Sequence, residues 1–193
     1  MAGPQLWRPA ILVLALVIVM AHAIAPSFYS WRLRTISDLG SQGFPNAWLM
    51  RLGFLSFGLL LAASLRVPAA GQALSPVHLL VVGYGLAIAA SGLWSAPPFL
   101  PGLPADAAQG LGHAIAANVA GLLLTLAMCA SAFTSRKVAD QMFDLGAFVV
   151  VCGLSLLFKL AQSGTVAVPP GIVQRLIFAS GLAWLWVCAG RHG

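Results

Sequence analysis

The chain has 193 residues, of which 60% are hydrophobic and only 7% charged, and its mean hydropathy is +0.94. An average soluble domain carries about 25% charged residues, so this composition excludes an ordinary water-soluble globule. Ten Lys and Arg against four Asp leave a net charge of +6, yet no basic run exceeds two residues. Phosphate neutralisation needs clustered cations, so no nucleic-acid partner is expected.

At about 20 residues per crossing, the apolar share fills roughly six membrane spans. Six segments carry it, at about 9–28, 45–65, 77–96, 108–133, 141–162 and 170–190. Turn-forming residues punctuate them: Ser41-Gln42-Gly43-Phe44-Pro45, Val67-Pro68 to Pro76, Pro97 to Pro104, Ser135-Arg136-Lys137, and Ser163-Gly164 to Gly171. Loops this short force the helices into one bundle. The expected fold is all-α, a polytopic integral membrane bundle of six transmembrane helices forming a single domain over residues 1–193.

The first segment imitates a secretory signal, with Arg8 ahead of an apolar run and Ala21-His22-Ala23 in the small-x-small form of a cleavage site. We read it as an uncleaved first helix. Alternate threading puts Arg8, Arg66, Arg136, Lys137 and Arg191 on the side of the N-terminus. Opposite them stand Arg32, Arg34, Arg51, Lys159 and Arg175, of which only Arg32 and Arg34 fall in a loop. Loop cations are the ones that set topology, so both termini are expected in the cytoplasm.

The side of the first loop also collects the unusual polar residues. His22, Arg51, His113 and Arg175 fall about five or six residues from helix ends on that side. At 1.5 Å per residue that is a shared depth of roughly 8–9 Å. Lys159 stands nearer the surface, and Asp38 and Asp106 occupy the loops above. Ionisable groups in a membrane cost on the order of 3 kcal/mol each at its centre, so they tend to face the bundle interior and pair. Asp38 and Asp106 could neutralise two of Arg51, Lys159 and Arg175, leaving positive charge suited to a lipid phosphate or carboxylate. Against this stand plainer roles: Arg51, Lys159 and Arg175 can snorkel, Asp38 can cap the turn Ser37-Asp38-Leu39-Gly40, and histidines commonly serve packing.

On the opposite side Asp140 and Asp144 stand one turn apart beside Arg136 and Lys137, as helix-start carboxylates with a local ion pair would. His78 follows Pro76, and nothing there demands chemistry. Cys129, Cys152 and Cys188 lie in apolar stretches without C-x-x-C spacing, which points to neither a disulfide framework nor a thiolate metal site. A haem held between His22 and His113 has only two histidines to support it, so no cofactor and no metal is expected. No nucleophile elbow, P-loop, H-E-x-x-H or G-x-G-x-x-G occurs. Ser91-Gly92-Leu93-Trp94 and Ser180-Gly181-Leu182-Ala183-Trp184 echo each other too weakly to define a repeat.

Thr35-Ile36-Ser37-Asp38-Leu39-Gly40 after the first helix, Pro45-Asn46-Ala47-Trp48 leading into the second, the Pro-rich stretch ending at Asp106 with His113 beyond, and Gly171-Ile172-Val173-Gln174-Arg175 opening the sixth resemble a family. It is the bacterial six-helix membrane family catalogued as domain of unknown function 998. The resemblance covers nearly the whole chain and highlights Asp38, Asp106, His113 and Arg175. Members often carry a second His one turn before the position of His113 and a Glu before that of Arg175, where this chain has Gln109 and Gln174. Acid-base chemistry that used those groups would be lost here. The outline is similar to eukaryotic six-helix proteins linked to lipid-anchor remodelling, a likeness of fold that assigns no function.

These readings converge on a bacterial inner-membrane protein whose outer-leaflet cavity binds an anionic lipid or amphiphile, a reading that favours binding over catalysis and leaves the enzyme question open. Arg51 and Arg175 would donate to it, Asp38 and Asp106 orient the arginines, and His113, with His22 and Lys159 nearby, complete the set. The alternatives are an intramembrane enzyme acting on a lipid headgroup, with His113 as general base and Asp38 or Asp106 as its partner, and a non-catalytic subunit with a membrane-protein or homo-oligomeric partner.

Overall fold

Side-chain caps fix where two of the helices begin. The Asp106 carboxylate accepts the amides of Ala108 at 2.9 Å and Gln109 at 3.1 Å, and Ser75 accepts that of His78 just ahead of Pro76 in the first turn. Both are standard means of satisfying the unpaired donors of a helix start. The structure, a computed structural model, describes residues 4–65 and 75–192. Among these are six α-helices: α1 (Trp7–Ala23), α2 (Ala47–Ala63), α3 (Pro76–Leu93), α4 (Ala107–Thr134), α5 (Val138–Gln162) and α6 (Pro170–His192). Arg66 and most of the loop from Val67 to Pro76 fall outside the described residues.

Four helices, α3 to α6, are long and apolar enough to cross a membrane. The expectation of six spans is thus met in helix number but not in length. Asn46 in the left-handed region (φ 59°) starts α2 late, and the chain turns out of α1 before Pro26, which leaves both helices 17 residues long.

Each helix packs on its chain neighbours, and α6 returns against α1. The α2–α3 contact is backbone-close: a Cβ on Gly85 would lie 2.6 Å from Leu61 Cβ and 2.8 Å from the Gly58 carbonyl oxygen. Glycines in such contacts let membrane helices approach closely. The core is filled by Leu14 of α1, Phe54 and Phe57 of α2, Val81 and Tyr84 of α3, Met128 of α4 and Trp184 and Leu185 of α6. Arg8, in the first turn of α1, stacks 5.1 Å from the Trp186 ring near the end of α6, so both ends of the described chain lie at one end of the bundle.

At the other end the connections 24–46 and 94–106 form a cap. Tyr29, Ile36, Leu39 and Phe44 are buried in it, with a short 3-10 turn at Ser37–Gly40. Gln42 ties the two connections together: its side chain accepts the Asp106 amide at 2.7 Å and donates to the Asp106 carbonyl at 3.0 Å. A third tie binds the cap to α6, whose Ile172 amide donates to the Arg32 carbonyl at 3.2 Å.

Candidate functional site on the loop side

Helix α3 ends at the cap, and the last carbonyls of any helix lack intrahelical donors. Here four consecutive carbonyls are taken up by side chains of two other helices. Arg51 of α2 donates through Nε to the Gly92 carbonyl at 3.0 Å and through Nη2 to that of Leu93 at 2.8 Å. His113 of α4 places Nδ1 2.9 Å from the Ser91 carbonyl and 3.1 Å from that of Trp94. A carbonyl only accepts, so Nδ1 carries a proton, and among the described residues Nε2 makes no hydrogen bond. A helix C-terminus also favours positive charge, which suits the Arg51 guanidinium.

Arg175 works as a second hub. Its Nη1 donates to the carbonyls of Arg34 at 2.9 Å and Gly171 at 2.8 Å, and its Nη2 donates to Tyr29 Oη at 2.7 Å and His22 Nε2 at 2.5 Å. Because arginine can only donate, His22 Nε2 must accept, and its Nδ1 donates to the Ile18 carbonyl at 2.7 Å. His22 is thereby held neutral with both nitrogens engaged, and neither is open to a ligand. Gly171 makes the hub possible: a Cβ there would run into the Arg34 carbonyl oxygen and lie 2.7 Å from those of Trp31 and Arg32.

The carboxylates do not pair with these arginines as expected. Asp38 accepts the Thr35 amide at 2.8 Å while its own amide donates to the Thr35 hydroxyl at 3.0 Å, a reciprocal cap of the turn. Asp106 caps α4. Among the described residues the ion pairs are those of Arg191 with Asp140 and Asp144, at the far end of the bundle. Burial pushes the Asp38 carboxyl above its ordinary value, while the hydrogen bonding with Thr35 and the charge of Arg34 pull it back. Burial likewise pushes the Tyr29 phenol up, against the pull of Arg175.

The structure therefore brings Asp38, His113 and Arg51 together beneath the cap, beside the hub of Arg175, Tyr29 and His22. Gly40, two residues past Asp38, packs on Arg51, with a Cβ there only 3.3 Å from its Cγ. Arg34 stacks over Phe99 at 4.5 Å. Lys159 is not brought in; it is exposed on α5 and bonds to none of them. Gln109 and Gln174 serve the cap: Gln174 accepts the Ile36 amide at 2.6 Å and Gln109 that of Ser95 at 3.3 Å.

Sequence reasoning missed the buried polar centre at the other end. Asp144 is 0% exposed and accepts from Ser131 Oγ at 2.7 Å, Trp184 Nε1 at 2.9 Å, Arg191 Nη1 at 2.9 Å and Ser135 Oγ at 3.3 Å. Its ionic partner is Arg191 of α6, not the neighbouring Arg136 or Lys137. The available signal was position: Asp144 lies seven residues before the buried Val151, on the face of α5 that meets the bundle. His78 also has a role there, its Nε2 2.8 Å from the Ser64 carbonyl, with Trp7 donating to Ser64 Oγ at 2.9 Å.

Residues 10–191 match the family described as "Protein of unknown function (DUF998)". The chain belongs to that family. No curated protein and no solved structure matches it.

Proposed function

We propose that this DUF998 protein binds the headgroup of an anionic amphiphile, such as a membrane lipid, beneath its loop cap. The observation that carries the reading is that Arg51 and Arg175 are half-buried under the cap and, among the described residues, meet carbonyls, a phenol and a neutral imidazole but no carboxylate. Carbonyl dipoles position a guanidinium without cancelling its charge, so the site keeps a positive field. Among the described residues Arg51 Nη1, Arg175 Nε and His113 Nε2 carry no bond, and they are the groups left to meet a phosphate or carboxylate.

In this reading all six helices cross a bacterial inner membrane, α1 and α2 at the short end of the usable range of about 17–25 residues. The termini lie in the cytoplasm and the cap at the outer surface, following the loop cations. The test is the lipid profile of the purified protein, read by mass spectrometry for wild type and Arg51→Gln. Gln can still donate to a carbonyl, so the helix end stays capped while the charge goes. Loss of the acidic lipid class in the variant supports the proposal, and an unchanged profile overturns it.

The free Nε2 of His113, within electrostatic reach of Asp38, favours one second reading: an enzyme acting on the headgroup, with His113 as general base. Headgroup release that His113→Ala abolishes would establish it over binding alone.

A further inference from the structure

The cap turns apolar side chains outward. Between α1 and the 3-10 turn, Ile24, Phe28, Trp31 and Leu33 are 48–59% exposed, and Arg32 among them is exposed as well. No carboxylate occurs ahead of Asp38, so the segment is basic as well as apolar. Its backbone closes on itself: the Tyr29 amide donates to the Pro26 carbonyl at 2.9 Å, and the Leu33 and Arg34 amides donate to the Ser30 carbonyl at 3.1 and 2.7 Å. Two successive turns thus satisfy polar groups that would otherwise need water.

Two further tryptophans stand exposed at this end. Trp48 opens α2 on a face that the exposed Leu52 and Leu59 continue at i+4 and i+11. Trp94 follows the exposed Leu86 and Leu93 of α3, and its ring lies on Gly112 of α4, where an added Cβ would come within 2.8 Å of it. Both continue apolar flanks of a bundle in which four helices are long enough to cross a membrane, and lipid is what covers such flanks.

The three tryptophans share one level. Trp48 stands three residues before Arg51, the Trp94 carbonyl accepts from His113, and the Trp31 carbonyl lies against Gly171, four residues before Arg175. Each is therefore within about one turn, roughly 6 Å, of a residue of the candidate site. The other exposed tryptophan, Trp186, stands beside Arg8 at the opposite end of the bundle. Tryptophan collects at membrane–water interfaces because its ring is apolar and its N–H polar.

We propose that the segment 24–34 is a membrane-docking surface. Ile24, Phe28, Trp31 and Leu33 sit in the headgroup layer of the leaflet around the cap, with Arg32 among the lipid phosphates, so the cap is sunk in the interface instead of raised into water. Interfacial segments of this kind join an aromatic and aliphatic face to basic residues. Docking also accounts for the shortness of α1: its 17 residues reach about 26 Å, less than the about 30 Å of hydrocarbon, and the segment that follows supplies the rest. The inference rests on α1 and α2 crossing the membrane, and it is independent of what binds beneath the cap.

Tryptophan depth in lipid nanodiscs is the test. Trp31 emission is the difference between wild type and Trp31→Phe, and Trp48 emission that between wild type and Trp48→Phe. Each is read in phosphatidylcholine with and without bromine on the upper acyl chain, and with iodide added to the water. Brominated lipid should quench Trp31 as strongly as Trp48, a ratio of about one, and iodide should quench it no more than Trp48. Phe28→Trp leaves Trp31 in place and adds a second reporter, whose extra emission should behave in the same way. Iodide quenching of Trp31 or of the reporter at position 28, without quenching by brominated lipid, overturns the proposal. If Trp48 then remains lipid-quenched, α2 still crosses and only the docking falls; if Trp48 also answers to iodide alone, the crossing falls with it.

Discussion

Replacing Asp144 by Ala removes the acceptor at which α4, α5 and α6 meet. Four donors lose their partner: Ser131, Trp184 and Arg191 at 2.7–2.9 Å, and Ser135 at 3.3 Å. Interhelical hydrogen bonds in membrane bundles average about 0.6 kcal/mol, so the three short ones set a floor of about 2 kcal/mol. Removing one partner of a buried ion pair costs about 3–5 kcal/mol, which sets the ceiling. At about 2–4 °C per kcal/mol for a chain of this size, the variant should unfold roughly 5–20 °C below wild type. Asp140→Ala is the internal control, because Asp140 keeps 31% side-chain exposure and, among the described residues, its carboxylate bonds only to Arg191, at 3.2 Å. An exposed pair is worth about 1 kcal/mol or less. Thermal unfolding followed by tryptophan fluorescence in detergent reads both. If Asp144→Ala melts within 2 °C of wild type, or no lower than Asp140→Ala, α5 is held by apolar packing and the hub argument is refuted.

Two further outcomes follow from the cap. Gly171→Ala should cost about 1–3 kcal/mol, because the added methyl must push the carbonyls of residues 31–34 away from α6; faster hydrogen exchange at the Ile172 amide, which donates to the Arg32 carbonyl, would report it. Asp38→Asn preserves an acceptor for the Thr35 amide but cannot ionise. Because the folded-state carboxyl is raised, its favourable contribution is full below about pH 4 and fades as pH climbs through the raised value. Wild type should therefore gain stability relative to Asp38→Asn on acidification from neutral pH toward 4, and a flat or opposite difference would contradict the burial argument.

Much of the fold was legible because hydropathy and turn residues act locally. The six apolar segments match α1 to α6, and Asp106, Ser75 and Pro76 mark starts that need no tertiary information. The lengths of α1 and α2 were not legible, since they depend on Asn46 and on how the connection from Ile24 to Asn46 folds back as a cap. At the site, depth alone grouped Arg51, His113, Arg175 and His22. Their partners stayed hidden because most are backbone carbonyls, which every residue has and no sequence pattern distinguishes. The same blindness produced the mistaken pairing of Asp38 and Asp106 with the arginines: both spend their acceptors on nearby amides. Asp144 was undervalued for a related reason, its cation coming from Arg191, 47 positions along the chain.

The account stands on the charge of Arg51 being available to an anionic headgroup, and titration of phosphatidylglycerol against the detergent-purified protein by native mass spectrometry measures that directly. Wild type should bind it in preference to phosphatidylcholine, and Arg51→Gln should weaken phosphatidylglycerol alone by about 10–100-fold, the equivalent of about 1.5–3 kcal/mol for a hydrogen bond to a charged group. Equal affinity for the two lipids in wild type, or an Arg51→Gln protein that binds phosphatidylglycerol as wild type does, would contradict it.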